Sequence, residues 1–593
     1  MYPVTEQWKS ETEFALRNYS WVRIVFGITD PDAPQLSSLK DNGHLTYSNV
    51  DSVDLGTSAP ATYQTLERNR FILDGKNPLP LDENPLYQGY AGSLISNDEG
   101  VWDISPEVTI VFSDYTQFPG LTFQFDESMG EYPEQFQIVV MHDDEEVLNQ
   151  TITVNTAYFE YGEQIPICNK IIFRWLKSNI PHRRARMTML IYGLVSELTT
   201  EDIADCSFDK EIDLASTKLP KQDFKFTLID RERRYDPENP KGVWEYLESR
   251  QPVTYYYGYQ LSDGTIEWIP WGLSYSTGKF TVTQQSVVSN VSIECAGLAS
   301  HLNSIYDEGM YYPDGITLYD LANQVMTFAG FANTIELDDE LKNIKTHNPL
   351  PSKKISECLQ LIANAGRCII SHSRGGYITI KRESTELSDF DMTFKKIKDT
   401  PKTSKIAPLR KLTTEYEVLT VADTVSNAVS DVEVIDAVNQ EFTFTHSAYT
   451  DLSLTVSDGL SIVGTPRYYA YKTVATLNGN GIVTITGKQL NSNKVEYNKK
   501  YSDVGEDLKP SANPLIDNRN DIIAYSDWLA AVTLRRNTYE VKDRGYPELD
   551  VGDLVTFTSN FQNNIPASIV KQSLSYNGAI SGNTKLIIGG DNI

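Results

Sequence analysis

The chain reads as short apolar or alternating runs cut by turn residues. Residues 20–28, Ser-Trp-Val-Arg-Ile-Val-Phe-Gly-Ile, are β-branched and aromatic with rough alternation, and the turn cluster Asp30, Pro31, Asp32, Ala33, Pro34 ends them. Between about 36 and 193 follow runs at 69–74, 107–112, 121–125, 135–141, 146–154, 170–175 and 186–192. Short strands at this spacing, with no helical period, predict an antiparallel β-sandwich. Residues 208–302 are again β-patterned, with runs at 224–229, 253–259 and 289–295 and one short helix expected at 243–249. The period then changes. Leu318, Leu321, Ala322, Val325, Met326 and Ala329 fall at helical spacing behind Thr317, a fitting N-cap, and Gly330 stops the run. A second helix is expected over 352–365, ended by Gly366, then strand 368–371, turn 374–376 and strand 377–380, a compact α+β unit. Residues 408–501 read as strands and loops, with Gly479-Asn480-Gly481 as a hairpin turn between 473–477 and 482–485. A third helix at 522–534 and a strand at 537–541 precede the run Tyr546-Pro547-Glu548-Leu549-Asp550-Val551-Gly552-Asp553.

The fold class expected is therefore mainly β with a small α+β domain, in several domains, as 593 residues require. The apolar fraction of 40% is enough for sizeable cores. Asp and Glu number 80 against 52 Lys and Arg, a net charge of −28, which argues against a grip on nucleic acid or anionic lipid. The longest apolar run, 187–195, is about half of the ~18 residues a membrane span needs, so no membrane anchoring is expected. The N-terminus has no basic stretch before an apolar core, so no secretory signal is expected. Five widely spaced cysteines, Cys168, Cys206, Cys295, Cys358 and Cys368, read as buried thiols rather than a disulfide framework or zinc site.

Candidate chemistry is sparse. There is no G-x-S-x-G, H-E-x-x-H, P-loop or EF-hand loop. The histidines, His44, His142, His182, His301, His347, His372 and His446, do not pair at metal-ligand spacing. His142-Asp143-Asp144-Glu145-Glu146 could hold a cation, but a solvated turn between two strands is the plainer reading. Asp30 and Asp32 suit a turn. Tyr255, Tyr256, Tyr257 and Tyr259, with Trp268 and Trp271, could stack on sugars or bases; aromatic pairs within a sheet are the plainer account. Trp102 and Tyr132, in expected loops of the sandwich, are better placed for a ligand. No catalytic residue, cofactor site or metal site is assigned, the carbohydrate-binding residues are unknown, and the chain is not expected to be an enzyme.

Several stretches carry a family likeness. Phe208-Asp209-Lys210-Glu211-Ile212-Asp213, Leu219-Pro220, Phe224 to Thr227, Tyr235-Asp236-Pro237-Glu238-Asn239-Pro240-Lys241-Gly242, Tyr246-Leu247, Gln251-Pro252-Val253 and Trp268 resemble the first β-domain of phage tail hub proteins. The helices and strands between 318 and 380 look like the second domain of that family. The helix at 522–534 with Pro547 to Asp553 is similar to its closing β-domain. The stretches 65–75, 120–126 and 183–187 resemble a galactose-binding (discoidin-like) jelly roll. The resemblance implies a first hub β-domain built from 1–35 and 196–310, an inserted β-sandwich at 36–195, an α+β domain at 311–406 and a second hub β-domain at 407–593. It further implies a homotrimer at the tail tip of a virion, assembled in the host cytoplasm. Two related β-barrels per chain would alternate around a channel that DNA passes in transit during genome ejection. The expected partners are the distal tail protein and other tail-tip or baseplate subunits. The sandwich either binds host surface glycan, serving host attachment, or braces neighbouring subunits. Some relatives continue into a peptidoglycan-cutting region, for which no sequence is seen after the closing domain. A cell-wall-degrading or glycan-cleaving tail enzyme is the alternative reading.

Overall fold

Strict alternation marks the start of the main sheet. In the strand Ser20–Thr29, the side chains of Val22, Ile24, Phe26 and Ile28 are fully buried, while Trp21, Arg23 and Val25 stay partly exposed. The computed structural model describes residues 1–14, 16–41, 65, 67–70, 89–284, 288–331, 334–444, 447–559 and 562–588. The strand expected at 69–74 lies outside them beyond Arg70. The chain is mainly β.

One sheet of 13 strands organises the molecule. Its order is Gly193–Leu198, Ser20–Thr29, Ser249–Gln260, Ile266–Gln284, Ser289–Ala296, Lys221–Asp230, Ile203–Glu211, Ile565–Tyr576, Ile580–Ile588, Asn537–Asp543, Lys402–Lys405. Leu554–Phe557 pairs with Ile565–Tyr576, and Leu387–Met392 lies parallel beside it. The sheet curls twice. Phe26 and Phe226 sit on strands with three others between them, about 19 Å apart in a flat sheet, yet their rings meet at 6.4 Å. Tyr539 and Phe557 are two strands further apart than neighbours and meet at 4.9 Å. Each curl closes on its own apolar core. The first holds Trp8, Phe226, Tyr255 and Tyr257, and the second holds Met392, Val541, Val555 and Leu586.

The sandwich leaves and rejoins this sheet at one point. The chain departs after Thr29 and returns at Gly193, and these two are direct cross-strand partners. Between them a five-stranded sheet, in the order Ser37–Asp41, Glu107–Phe118, Ile165–Ser178, Pro133–His142, Glu145–Thr153, faces a three-stranded sheet of Met189–Ile191, Leu121–Gln124 and Tyr158–Tyr161. Phe123 of the smaller sheet packs edge-on against Phe173 of the larger at 5.1 Å. Arg184–Met187 pairs with Tyr90–Ile95 beside them.

Helices Leu318–Phe328 and Ile355–Ala365 cover a small sheet of Ile335–Leu337, Ile378–Lys381 and Ile369–His372, and helix Arg519–Thr533 shares their core through Ile522, Tyr525 and Leu529. Thr317 caps the first helix as expected, its side chain accepting from the Asp320 backbone N–H at 3.0 Å. The helix expected at 243–249 is a single 3-10 turn, Trp244–Tyr246. The Gln251 amide donates to the Tyr246 and Thr29 carbonyls at 2.6 and 3.0 Å, which draws the chain into the strand Ser249–Gln260 instead. Helix Glu6–Thr12, capped by Thr5, has no counterpart in the sequence reading.

Residues 409–500 form a long β-arm. Strands Leu409–Thr443 and Lys472–Lys500 pair from Lys411 with Lys500 to Thr443 with Lys472, through five register shifts. Tyr449–Val456 and Leu460–Tyr468 line the other edge of Lys472–Lys500. Gly479-Asn480-Gly481 is therefore not a hairpin turn. It lies within a strand, where a Cβ on Gly479 would come 2.1 Å from the Gly459 carbonyl oxygen. The turn is at Asp458-Gly459, with Gly459 at φ +93°.

The junction between sandwich and sheet depends on Gly193. Its φ is +150°, and a Cβ there would lie 2.2 Å from the Ile28 carbonyl oxygen. Gly193→Ala is expected to lower stability by about 1–3 kcal/mol from backbone strain alone, whereas Gly162→Ala, with open space around it, leaves the thermal midpoint near wild type. Thermal unfolding of the two variants side by side checks this.

Candidate functional site

The two curls are joined along one seam. Strand Ile203–Glu211 pairs with Lys221–Asp230 of the first curl and, on its other edge, with Ile565–Tyr576 of the second, from Cys206 opposite Tyr576 to Glu211 opposite Lys571. Lys210 lies on this seam, opposite Gln572, with 2% of its side chain exposed, and its ammonium meets Asp550 Oδ1 at 2.7 Å. Arg374, on the hairpin of the α+β unit, stands 3.6 Å from Asp550 Oδ2. Its two terminal nitrogens donate to the Pro270 carbonyl of the first curl and the Leu549 carbonyl beside the second, both at 2.8 Å. One guanidinium thus ties three units together, a use suited to its rigid fork of donors. Burial works against charge on Asp550, but Lys210 and Arg374 outweigh it and hold its carboxyl below the usual range. Nearby, His372 is pushed down to about 3, chiefly by burial and then by the Lys210 charge; it stays neutral and its Nε2 accepts from the Ala299 N–H at 3.1 Å.

The N-terminal residues form a strap across both curls. Trp8 is fully buried in the first, edge-on to Tyr259 at 5.5 Å, and Glu11 accepts from the Ser262 hydroxyl at 2.6 Å. On the second curl, Tyr2 N–H donates to the Glu548 carbonyl at 2.7 Å and Lys396 meets Glu13 at 3.0 Å. Arg17 donates to the carbonyls of Arg544 and Gly545 at 2.8 and 2.9 Å. The Glu548 side chain is 97% buried beneath the strap. Burial raises its carboxyl to about 7, against the pull of Arg17 and Arg374.

In the sandwich a second charged cluster pins Thr65, Glu67 and Arg70. Glu67 receives Arg186, the Arg184 N–H at 2.7 Å and the Thr65 hydroxyl at 2.6 Å. Glu131 receives Arg70, Arg183 and Arg186, and Arg70 also reaches Asp126. Burial would raise the Glu67 carboxyl, but its bond and charge partner Arg186, with Thr65 and Arg184, holds it down to about 2. The cluster ties Glu67 and Arg70 to Arg183, Arg184 and Arg186 and serves as a clamp.

The residues singled out in the sequence are mostly structural. His142 pairs with Glu145 across a tight turn at Asp143, whose φ is +55°. Asp30 accepts from the Asp32 and Ala33 N–H groups at 2.9 and 3.1 Å. Tyr255, Tyr257 and Tyr259 are core residues, while Tyr256 and Trp268 flank the Arg23 guanidinium at 4.5 and 5.0 Å. Trp102, expected in a ligand-facing loop, is 5% exposed and donates to the Leu94 carbonyl at 3.2 Å; its ring fills the sandwich core. Tyr132 packs partly buried against the same core. All five cysteines are free and buried. His44 and His446 lie outside the described residues. Among those described, no group of three or more His, Cys, Asp or Glu is placed to hold a metal ion, and no helix is long and apolar enough to cross a membrane.

No family model matches the chain, and no curated protein does. Solved structures do resemble it. The 43 kDa tail protein of prophage MuSo2 from Shewanella oneidensis aligns over 66% of this chain and 95% of its own, with 12% identity and a TM-score of 0.38. A tail protein from Neisseria meningitidis aligns over 66% and 93%, with 10% identity and a TM-score of 0.36. The E. coli c3393 protein aligns over 66% and 74%, with 6% identity and a TM-score of 0.33. That protein is a component of the type VI secretion system with similarity to the T4 tail proteins gp27 and gp5. These three are a prophage tail protein, a tail protein and a type VI secretion component; the CBM32 domains of Clostridium perfringens ZmpB align over 27% of this chain, with 11% identity and a TM-score of 0.18.

Sequence reasoning quoted Lys210, Glu548 and Asp550 only as parts of longer runs. Lys210 and Asp550 are 340 residues apart, and only the seam brings them together. Two outcomes follow from the charged groups. Lys210→Met leaves Asp550 with a weaker partner and should cost about 3 kcal/mol; adding Asp550→Leu should restore at least half of that, as read by denaturant unfolding of the double-mutant cycle. Glu548 has a folded pKa of about 7 against an ordinary 4.5. Its contribution is therefore full below 4.5 and lost as pH rises through 7, by about 3 kcal/mol at 1.36 per unit. The melting temperature of wild type should fall from pH 5 to pH 8 relative to that of Glu548→Gln.

Proposed function

We propose that this chain is the structural hub of a phage tail tip or baseplate. Three copies close into a ring that joins the tail tube to the host-recognition tip and surrounds the path of the DNA. The observation that carries this reading is the shared sheet: two curls in one chain, fixed by a seam, a buried ion pair and a strap. A rigid pair per chain turns three copies into six similar positions, which is what a threefold tip needs to meet a sixfold tube. The net charge of −28 supports a carboxylate-rich lumen along which a phosphate backbone slides without sticking. The residues named above have structural partners, and the reading gives the chain no catalytic step. The sandwich, held at one junction outside the sheet, is the part this reading assigns to host-surface glycan. The distal tail protein and other tip subunits are the partners it implies.

Analytical ultracentrifugation and electron microscopy of the purified full chain test the proposal. The expected result is a threefold ring near three times 66.8 kDa with acidic side chains facing its channel. A species that stays monomeric at all concentrations, or a ring with a basic lumen, overturns it.

A further inference from the structure

The β-arm carries an interaction surface that the hub reading does not use. Its strand Leu409–Thr443 is paired along one edge with Lys472–Lys500. On the other edge only Leu409, Lys411 and Leu412 pair, with Glu506–Leu508, and Glu417 N–H donates to the Ile516 carbonyl. From 418 to 441 that edge makes no backbone–backbone hydrogen bond among the described residues; the Tyr449 hydroxyl of the arm donates to the Asn427 carbonyl at 3.5 Å, and the Asn439 N–H donates to the Thr476 hydroxyl at 3.1 Å. Unpaired edge groups of this kind are a template for another strand.

Several apolar side chains on this stretch are uncovered. Val425 is 60% exposed, Ile435 69% and Val438 80%. On the neighbouring strands of the same arm, Val463 and Ile482 are 49% and 39% exposed, while the arm's own core of Val434, Leu477, Val483 and Ile485 is closed. The arm's core therefore does not need these side chains. They form a second apolar surface on an element whose core is already filled.

The charge pattern selects the partner. Residues 412–466 contain nine Asp or Glu and no Lys or Arg. Asp423, Asp431, Glu433 and Asp436, along the free edge, have no cation within 4 Å among the described residues. Two copies of this edge repel each other. Register shifts at 421/425, 427/429, 429/432, 435/437 and 437/440, with Asp431, Asp436 and Asn439 at positive φ, divide the edge into short stretches, so an added segment is short. What fits is a short extended segment whose β-branched residues cover Val425, Ile435 and Val438 and whose Lys or Arg residues meet the carboxylates. We propose that the free edge of the arm, residues 418–441, takes an extended basic segment of a partner protein as an added strand.

Hydrogen–deuterium exchange of the full chain tests this, with a short synthetic peptide alternating lysine and valine as the probe and a glutamate–valine peptide of equal length as the control. The expected result is about tenfold slower exchange within 418–441 with the basic peptide alone, an effect that falls at high salt. Ile435→Lys with Val438→Lys should abolish it while exchange at 483–485 in the arm's core stays as in wild type. Equal slowing by both peptides, slowing confined to other regions, or no slowing overturns the proposal. So does slowing that follows protein concentration without peptide, which would give the edge to a second copy. None of these outcomes depends on the chain being a hub.

Discussion

A six-position backbone pairing, Cys206 to Glu211 against Tyr576 to Lys571, decides what kind of object this chain makes. Without it there would be two separately curled sheets on a flexible connection. With it, hydrogen bonding runs without a break from Gly193–Leu198 to Lys402–Lys405, and the relative position of the two cores is set by strand geometry. A sheet resists shear along its strands because any slip by one residue turns every buried side chain outward. That constraint is what lets a chain of loosely connected pieces act as a rigid frame.

The polar contacts around the seam fit that role. Lys210 and Asp550 are removed from water, a costly arrangement unless each has a good partner. The pair sits where three units meet, and Arg374 supplies the second cation together with two backbone bonds to different curls. An apolar cluster in that place would bury surface equally well but would not specify an angle. The strap does the same on the outer side, with Trp8 in one core and backbone bonds to Glu548, Arg544 and Gly545 on the other. The sandwich and the arm are attached differently. Each leaves the frame and returns close to where it left. The sandwich joins the frame where Thr29 pairs with Gly193; the arm starts where Lys411 pairs with Lys500 and is also fixed by Lys472 on Asp307 at 2.7 Å and by the Ala470 N–H on the Gly309 carbonyl at 2.8 Å.

Local pattern was readable in the sequence because alternation and helical spacing are properties of neighbours. Buried alternate residues in Ser20–Thr29 and Lys221–Asp230, the Thr317 cap and the two helices with apolar faces were all visible from spacing alone. Where local signals misled, a distant contact had won. Gly479-Asn480-Gly481 has the composition of a turn, but the backbone of Gly459 passes against it and needs the missing side chain. Trp102 looked like a loop aromatic until the sandwich closed over it.

By itself, then, the order of residues determined that this protein is built mainly of strands, that a helical unit interrupts them and that the whole carries a large acid excess. Only the tertiary structure decided which strands are neighbours, that two curls share one sheet, that Lys210 meets Asp550 and that the long strand of the arm keeps one edge without a strand partner among the described residues. The reason is physical. Periodicity and turn chemistry act over a few residues, whereas strand pairing and buried charge pairs join positions hundreds of residues apart, and no short stretch of sequence records its partner.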